Sequence, residues 1–522
     1  MATSETRESA SGEGGFTHQQ ILVILSGLLL GILLAALDQT IVSTAIRTIA
    51  DDLDGYALQA WATTAYLITA TLATPLYGKL SDMYGRKPFY LAAISIFLAG
   101  SLLCTFAQSM YELAAFRAVQ GMGAGGLMSL ALTIIGDIVS PRERARYQAY
   151  FLAVFGTSSV VGPVLGGLFA GQQSILGIAG WRWVFLVNVP IGLFTLVVVT
   201  RVLRLPPREK SRDRVDYWGA LVLITVLTPL LIVAEQGREW GWGSARSVAC
   251  FVIGAVGLIG FVAVEKALGD AALIPLRIFG NRTFALGVVI SFVVGAGMFG
   301  GILLLPQYLQ VVRGSSPMLG GLQMIPMVLG IMIGSVFSGQ LISRTGHYRI
   351  FTVLGAALVT LGLFLLHYLR FDTEYWIVAL FMACVGFGLG NLMQPLILAL
   401  QNALPPKDMG VSTAAATFFR EIGGTLGAAV FLSILFARLV PDIRAELAAA
   451  GREAAGVERV LSDSSVVQQL DPELARPFQV GFAESLSTVF LTTSGVTLIA
   501  LVLVLFWREV PLRTTAGITD AE

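Results

Sequence analysis

The sequence predicts an all-α integral membrane protein of two related six-helix bundles with two further helices between them. Three observations lead there: an apolar composition, about fourteen apolar runs long enough to cross a bilayer, and an internal repeat that pairs the halves. Of 522 residues, 55% are hydrophobic and 13% charged, against roughly 25% charged in soluble domains. A formal net charge of +1 supplies no overall basic field of the kind that draws nucleic acid. Cys104, Cys250 and Cys384 stand singly in apolar stretches. Without paired or metal-like spacing they read as small packing residues.

Residues 1–19 are polar and rich in Ser, Gly and Glu, and read as a disordered cytoplasmic tail. The run from Ile21 to Ile46 is too long for a cleaved signal and long enough for a hydrocarbon core of about 30 Å. With its flanks it forms the first helix, 20–46. Further helices are expected at 57–79, 89–108, 111–137, 147–171, 182–203, 216–235, 246–267, 284–311, 317–342, 349–368, 374–402, 409–437 and 484–507. The first bundle then covers 20–203, a charged, proline-bearing cytoplasmic linker 204–215, the inserted pair 216–283, the second bundle 284–507, and a cytoplasmic tail 508–522. The 57 glycines suit membrane helices that approach closely. Segment 438–483 is long and external, and amphipathic through Ile443, Leu447, Val457, Val460 and Leu461. It reads either as a solvated cap or as a lid or partner-docking element over the outer mouth.

Lys and Arg concentrate in alternate short loops: Arg86 and Lys87; Arg142, Arg144 and Arg146; Arg204, Arg208, Lys210, Arg212 and Arg214; Lys266, Arg277 and Arg282; Arg344 and Arg349. The positive-inside rule makes these loops cytoplasmic, with both termini on that side. The eight tryptophans fall near helix ends, as an interfacial belt would. Glu265 and Lys266, at a helix end, read as water-facing.

The repeat is carried by three segments in order. Gly78-Lys-Leu-Ser-Asp82-Met-Tyr-Gly85-Arg86-Lys87 returns 261 residues on as Gly339-Gln-Leu-Ile-Ser343-Arg-Thr-Gly346-His347-Tyr348. Gly121-Met-Gly123-Ala-Gly125-Gly-Leu127-Met128 returns at an offset of 265 from Gly386 to Met393, and Pro141-Arg142-Glu143 returns at the same offset as Pro406-Lys407-Asp408. Both halves start on the cytoplasmic side, so they are parallel repeats able to rock about a central site.

Within the apolar runs, Asp38 and Arg117 carry the most information, because a charge at the bilayer centre costs about 2.5–3.5 kcal/mol on insertion scales. Counted from predicted helix ends at Ile46 and Tyr111, both lie roughly 9–12 Å below the outer surface. They can pair, or share a water-filled cavity. Glu421 lies mid-helix beside Arg420. Adjacent helical residues point about 100° apart, so one faces the cavity and the other a neighbouring helix. Asn391 and Gln394 are further polar candidates in the second half. In the helix 2–3 loop, Gly78 and Gly85 allow close packing and a tight turn, and Asp82, Arg86 and Lys87 supply charges for a breakable cytoplasmic latch between the halves. Ser343 and His347 replace Asp82 and Arg86 in the second copy, which predicts an asymmetric gate. Gly162-Pro163 removes a backbone hydrogen bond, and Gly166 and Gly167 permit close helix contact.

These segments together resemble the major facilitator superfamily, and within it the fourteen-helix drug:proton antiporter branch. Gly78 to Lys87 is similar to the superfamily's loop signature between helices two and three. Leu37-Asp38-Gln39-Thr40-Ile41-Val42 resembles the branch's helix-one motif, though Arg47 stands where that motif often ends in Pro. Arg117-Ala-Val-Gln120-Gly121-Met-Gly123 resembles the helix-four motif, Gly162-Pro163-Val-Leu-Gly166-Gly167 the antiporter motif of helix five, Trp181 to Gly192 the opening of helix six, and Arg420 to Gly427 the penultimate helix. The resemblance implies a major facilitator fold, a latch favouring the outward-open state, and a helix-five segment that limits leakage in exporters. It supports proton exchange at Asp38 tuned by Arg117; at the Glu421 position the family often carries Gln, and the acid found here would itself suit a cationic substrate or a second proton site.

The function expected is proton-driven export of amphipathic, cationic drugs or toxic compounds by alternating access. The chain would act as a monomer in a bacterial inner (cell) membrane, powered by the proton gradient without cofactor or metal. Export of a lipid, siderophore or biosynthetic metabolite is the alternative. No GxxxxGK[ST] phosphate loop occurs. The three histidines, His18, His347 and His367, are too scattered for the clustered groups of a membrane enzyme.

Overall fold

In hydrocarbon every backbone polar group must be satisfied within the chain, and this sequence does so with helices. The computed structural model describes residues 17–53, 58–204, 216–315, 317–450 and 472–513. Its long helices are α1 (His18–Asp52), α2 (Gln59–Tyr84), α3 (Arg86–Thr105), α4 (Met110–Ile138), α5 (Pro141–Ala170), α6 in two pieces (Trp183–Leu186 and Asn188–Val202), α7 (Tyr217–Trp240), α8 (Ala245–Leu268), α9 (Arg282–Gln307), α10 (Ile325–Thr345), α11 (Arg349–Leu366), α12 (Tyr375–Ala403), α13 (Met409–Ala449) and α14 (Pro472–Phe506). Among the described residues, thirteen helical segments are long and apolar enough to cross a membrane. The fourteenth crossing is the more polar α2, which carries five threonines and lies between α4 and α13. Side chains mark several starts: Thr17 and Gln20 form a capping box on α1, and Ser109, Asp216, Ser244 and Asn281 cap α4, α7, α8 and α9. The two-residue strands β1 (Ser174–Ile175) and β2 (Ile178–Ala179) pair as a hairpin between α5 and α6.

Packing follows the repeat. Helix α1 lies on α5 as α9 lies on α13; α4 packs against α2 and α3 as α12 packs against α10 and α11. The halves meet through α2 on α13 and α5 on α10, pairs that the repeat interchanges. Gly85 and Gly346, 261 residues apart, both take positive φ, at 96° and 77°, which only glycine adopts without strain. The inserted α7 and α8 pack on each other, and α7 also touches both α2 and α13, beside the seam between the halves.

Several sequence expectations change. Helix α1 continues to Asp52 rather than ending near Ile46. The external segment is not a loop at either end: α13 continues to Ala449 and α14 starts at Pro472. There Ile443 and Leu447 are buried in one apolar cluster with Phe478 and Phe482, and Ser485 Oγ donates to Asp442 at 2.8 Å. Charges such as Arg438, Asp442 and Arg444 end the apolar run without ending the helix. Val457, Val460 and Leu461, the linker with Arg208, Lys210, Arg212 and Arg214, and most of the two tails lie outside the described residues. Two tryptophans of the expected belt are inside the protein: Trp181 donates to Asp52 at 2.6 Å and Trp507 to the Thr283 carbonyl at 2.8 Å. Glu265, expected to face water, is fully buried.

Candidate functional site

Asp38 and Arg117 meet inside the first bundle. Arg117 Nη1 lies 2.6 Å from Asp38 Oδ2, and both side chains are buried, at 1% and 0% exposure. Asp38 Oδ1 accepts from Gln120 Nε2 at 2.8 Å and from Asn188 Nδ2 at 2.7 Å. The carboxylate is thus held by donors from α4 and α6. Gln120 also accepts from Arg117 at 2.7 Å and donates to Ser101 Oγ at 2.6 Å. Arg117 is fixed further by the Ala62 carbonyl at 3.2 Å and by the Tyr66 ring 4.0 Å below its guanidinium. Removing two charges from solvent is expensive, and full hydrogen bonding is what makes such a pair tolerable. Asn188 reaches Asp38 because α6 breaks at Val187 and restarts at Asn188. The two side chains touch and so share one depth, as expected, but the count from the end of α1 changes. Because α1 runs to Asp52, Asp38 sits about 21 Å along that helix from its outer end, and α1 projects beyond α4.

Tyr66 links this cage to the second half, lying within electrostatic reach of Asp38, Arg117 and Glu421. Glu421 on α13 interacts with Thr71 of α2, so it faces the seam between the halves. Arg420 beside it is likewise only partly buried, and its backbone packs onto Gly295 of α9. Gln394 is nearly enclosed, and its Oε1 has no hydrogen-bond partner. Asn391 is enclosed between helices: its amide donates to the Phe387 carbonyl of its own helix at 2.7 Å, and it packs against Gly334 of α10.

The cytoplasmic side is closed. Asp82 accepts from the backbone N–H of Gly410 at 3.2 Å and of Val411 at 3.0 Å, placing a carboxylate on the positive N-terminus of α13. Arg86 joins Asp82 at 2.6 Å and Asp137 at 2.7 Å. Gly78 and Gly410 face each other so closely that a Cβ on Gly78 would stand 2.5 Å from Ala414 Cβ. Lys87 does not join this contact: it donates to the Thr200 carbonyl at the end of α6 in its own half, at 2.7 Å, where its charge suits the helix C-terminus.

The second-copy contact has reversed polarity. There the carbonyls of Ser343 and Arg344, at the end of α10, accept from Arg142 of α5 at 2.8 and 2.5 Å. Arg144, buried, caps the C-terminus of α4 through Gly136 and Val139 and donates across the seam to Gln401 at 2.6 Å. Burial pulls Arg144 down to about 9, so it stays charged at neutral pH. Arg142 and Arg144 were legible only as topology charges, since the positive-inside rule asks for the same residues in the same loop. Gln120 and Asn188 stand inside recognisable motifs, but as neutral amides nothing singled them out, and Ser101 carries no signal at all.

The helix-five motif is a packing device. A Cβ on Gly162 would collide with Thr40 of α1, and one on Gly166 would lie 2.7 Å from the Ile41 carbonyl, whereas Gly167 has open space. The second half repeats this 261 residues on: Gly423 and Gly427 of α13 meet Phe292 and Ala296 of α9. Gly162→Ala and Gly166→Ala should each destabilise by about 1–3 kcal/mol through overpacking, while Gly167→Ala should be neutral, read as thermal unfolding in detergent. Equal losses at the three positions would contradict the packing.

The Major Facilitator Superfamily profile matches residues 28–428. An uncharacterised MFS-type transporter of Mycobacterium tuberculosis is 37% identical, the match covering 94% of this chain and 70% of that protein. Multidrug transporter protein MdtP and multidrug resistance protein 3 of Bacillus subtilis are each 33% identical, covering 92% and 95% of this chain and 90% and 97% of theirs. Among solved structures, the proton:xylose symporter XylE superposes with a TM-score of 0.62 at 14% identity, over 97% of this chain and 99% of that one, which speaks to the fold alone. With its two six-helix bundles, inserted pair and matching profile, this chain is a multi-pass membrane protein that belongs to the Major Facilitator Superfamily.

Proposed function

We propose that the protein is a proton-coupled exporter of amphipathic, cationic compounds, working by alternating access. The observation that carries this is Asp38: a carboxylate fully enclosed within the bundle, held by Arg117, Gln120 and Asn188. An ionisable group at that depth persists where it has a task. Proton arrival neutralises Asp38 and frees Arg117 and the two amides to re-pair, which changes the packing of α1, α4 and α6 together. Glu421, at the seam and within reach of Tyr66, is suited to a cationic group or a second proton. The names of the Bacillus subtilis relatives support a drug-like cargo. A single chain suffices, with the gradient as the energy source, and the basic cytoplasmic loops fit a cell membrane whose inner face is anionic.

The test is transport in proteoliposomes under an imposed pH gradient, with cationic, neutral and anionic amphipaths. Cation movement against its own gradient, abolished by a protonophore, is expected. Gradient-independent flux, or selection of anionic lipids or metabolites, would refute the reading.

A further inference from the structure

The inserted pair α7–α8 has no counterpart in the repeat, yet the segment that leaves it reaches the cytoplasmic gate. Asp216 at the start of α7 accepts from Gly219 N at 2.5 Å and Leu273 N at 3.0 Å, and Glu265 at the end of α8 accepts from Ile274 N at 2.8 Å. Both carboxylates are buried, as are Ala272, Leu273 and Ile274. A Cβ on Gly219 would press on Asp216 and lie 2.8 Å from Glu265 Oε1, so the corner admits no side chain there. Pinned in this way, residues 269–280 carry two polar arms. The Asp270 carbonyl accepts from Lys79 Nζ of α2 at 2.6 Å, which ties the segment to the first half. Arg277 pairs with the Asp270 carboxylate and makes a bidentate contact with Asp408, Nη1 to Oδ2 and Nη2 to Oδ1, both at 2.9 Å, which ties it to the second.

Asp408 immediately precedes α13, the helix whose first N–H groups are gripped by Asp82. Asp82 thus grips the start of the helix, while the carboxylate of Asp408, the residue that opens it, makes no cap hydrogen bond of its own. Arg86 balances Asp82, and Asp408 needs a cation of its own if it is not to repel Asp82. The bidentate fork of Arg277 supplies it.

We propose that Arg277 is a positioning residue of the cytoplasmic gate, delivered by the inserted helices to neutralise Asp408 and hold the N-terminus of α13 on Asp82. The extra pair thereby biases the transporter toward its cytoplasm-closed state. This goes beyond proton coupling and does not depend on which solute is carried.

Hydrogen–deuterium exchange on the full-length protein tests it. Arg277→Gln should raise exchange about tenfold in peptides covering 78–86 and 405–415, as loss of a charge-assisted contact implies, with α11 and α14 unchanged. Adding Asp408→Asn should restore protection, because the repulsion is then gone. The charge swap Arg277→Asp with Asp408→Arg should restore it as well, and it keeps the test open if Arg277→Gln folds poorly. Unchanged exchange at the gate in Arg277→Gln, or loosening that neither second substitution repairs, would overturn the proposal.

Discussion

Replacing Asp38 by Asn is expected to give a folded protein whose pH-gradient-driven flux falls to that of protein-free liposomes. The side chain keeps its shape and one acceptor, but it cannot take and release a proton. It also leaves Arg117 buried without a counter-ion, a loss of about 3–5 kcal/mol when one partner of such a pair is removed. The Ala62 carbonyl, Gln120 Oε1 and the Tyr66 ring remain around the guanidinium and offset part of that. Adding Arg117→Gln removes the stranded cation, so the double variant should regain thermal stability without regaining coupled flux. Stability and flux measured on the same preparations separate the two effects. Coupled flux retained in Asp38→Asn would remove Asp38 from the mechanism.

The second large effect is expected at the gate. In Gly78→Ala the new Cβ would stand 2.5 Å from Ala414 Cβ and 2.8 Å from the Gly410 carbonyl oxygen. Overpacking of this kind costs about 1–3 kcal/mol. The contact joins the two halves, so the cost falls on the cytoplasm-closed state, shifting the balance by about 5- to 150-fold. Maleimide labelling of an Ala414→Cys reporter from the cytoplasmic side should rise accordingly, and transport should fall. Unchanged labelling and transport would mean that closure does not require this contact. Gly85→Ala is a control of different origin: nothing lies within 4 Å of its Cβ position, and the penalty is the extended positive-φ backbone (φ 96°, ψ 156°), about 1–3 kcal/mol.

What could be read from the sequence follows from what membranes make expensive. Asp38 and Arg117 were legible because an ion in an apolar run demands a reason; Gln120 and Asn188, which complete the cage, are neutral and raise no such demand. The two-half architecture was legible because three segments recur in order at nearly one offset, and Gly85 and Gly346 within the first of them both take positive φ, one extended and one left-handed helical. Arg142, Arg144 and Arg277 were visible only as inside-positive charges, since topology and gating call for the same residue type. The ends of α13 and α14 were misread because apolar runs stop where hydrocarbon stops, whereas a helix continues as long as its own hydrogen bonds and a partner such as the Phe478 and Phe482 pair support it.

Proton exchange for cargo at Asp38 is tested most directly by adding a cationic substrate to purified protein in weakly buffered detergent solution and recording pH. Coupling through Asp38 predicts proton release by the native protein on substrate binding and none by Asp38→Asn at the same occupancy. Equal release from both, or binding without release in the native protein, would contradict it.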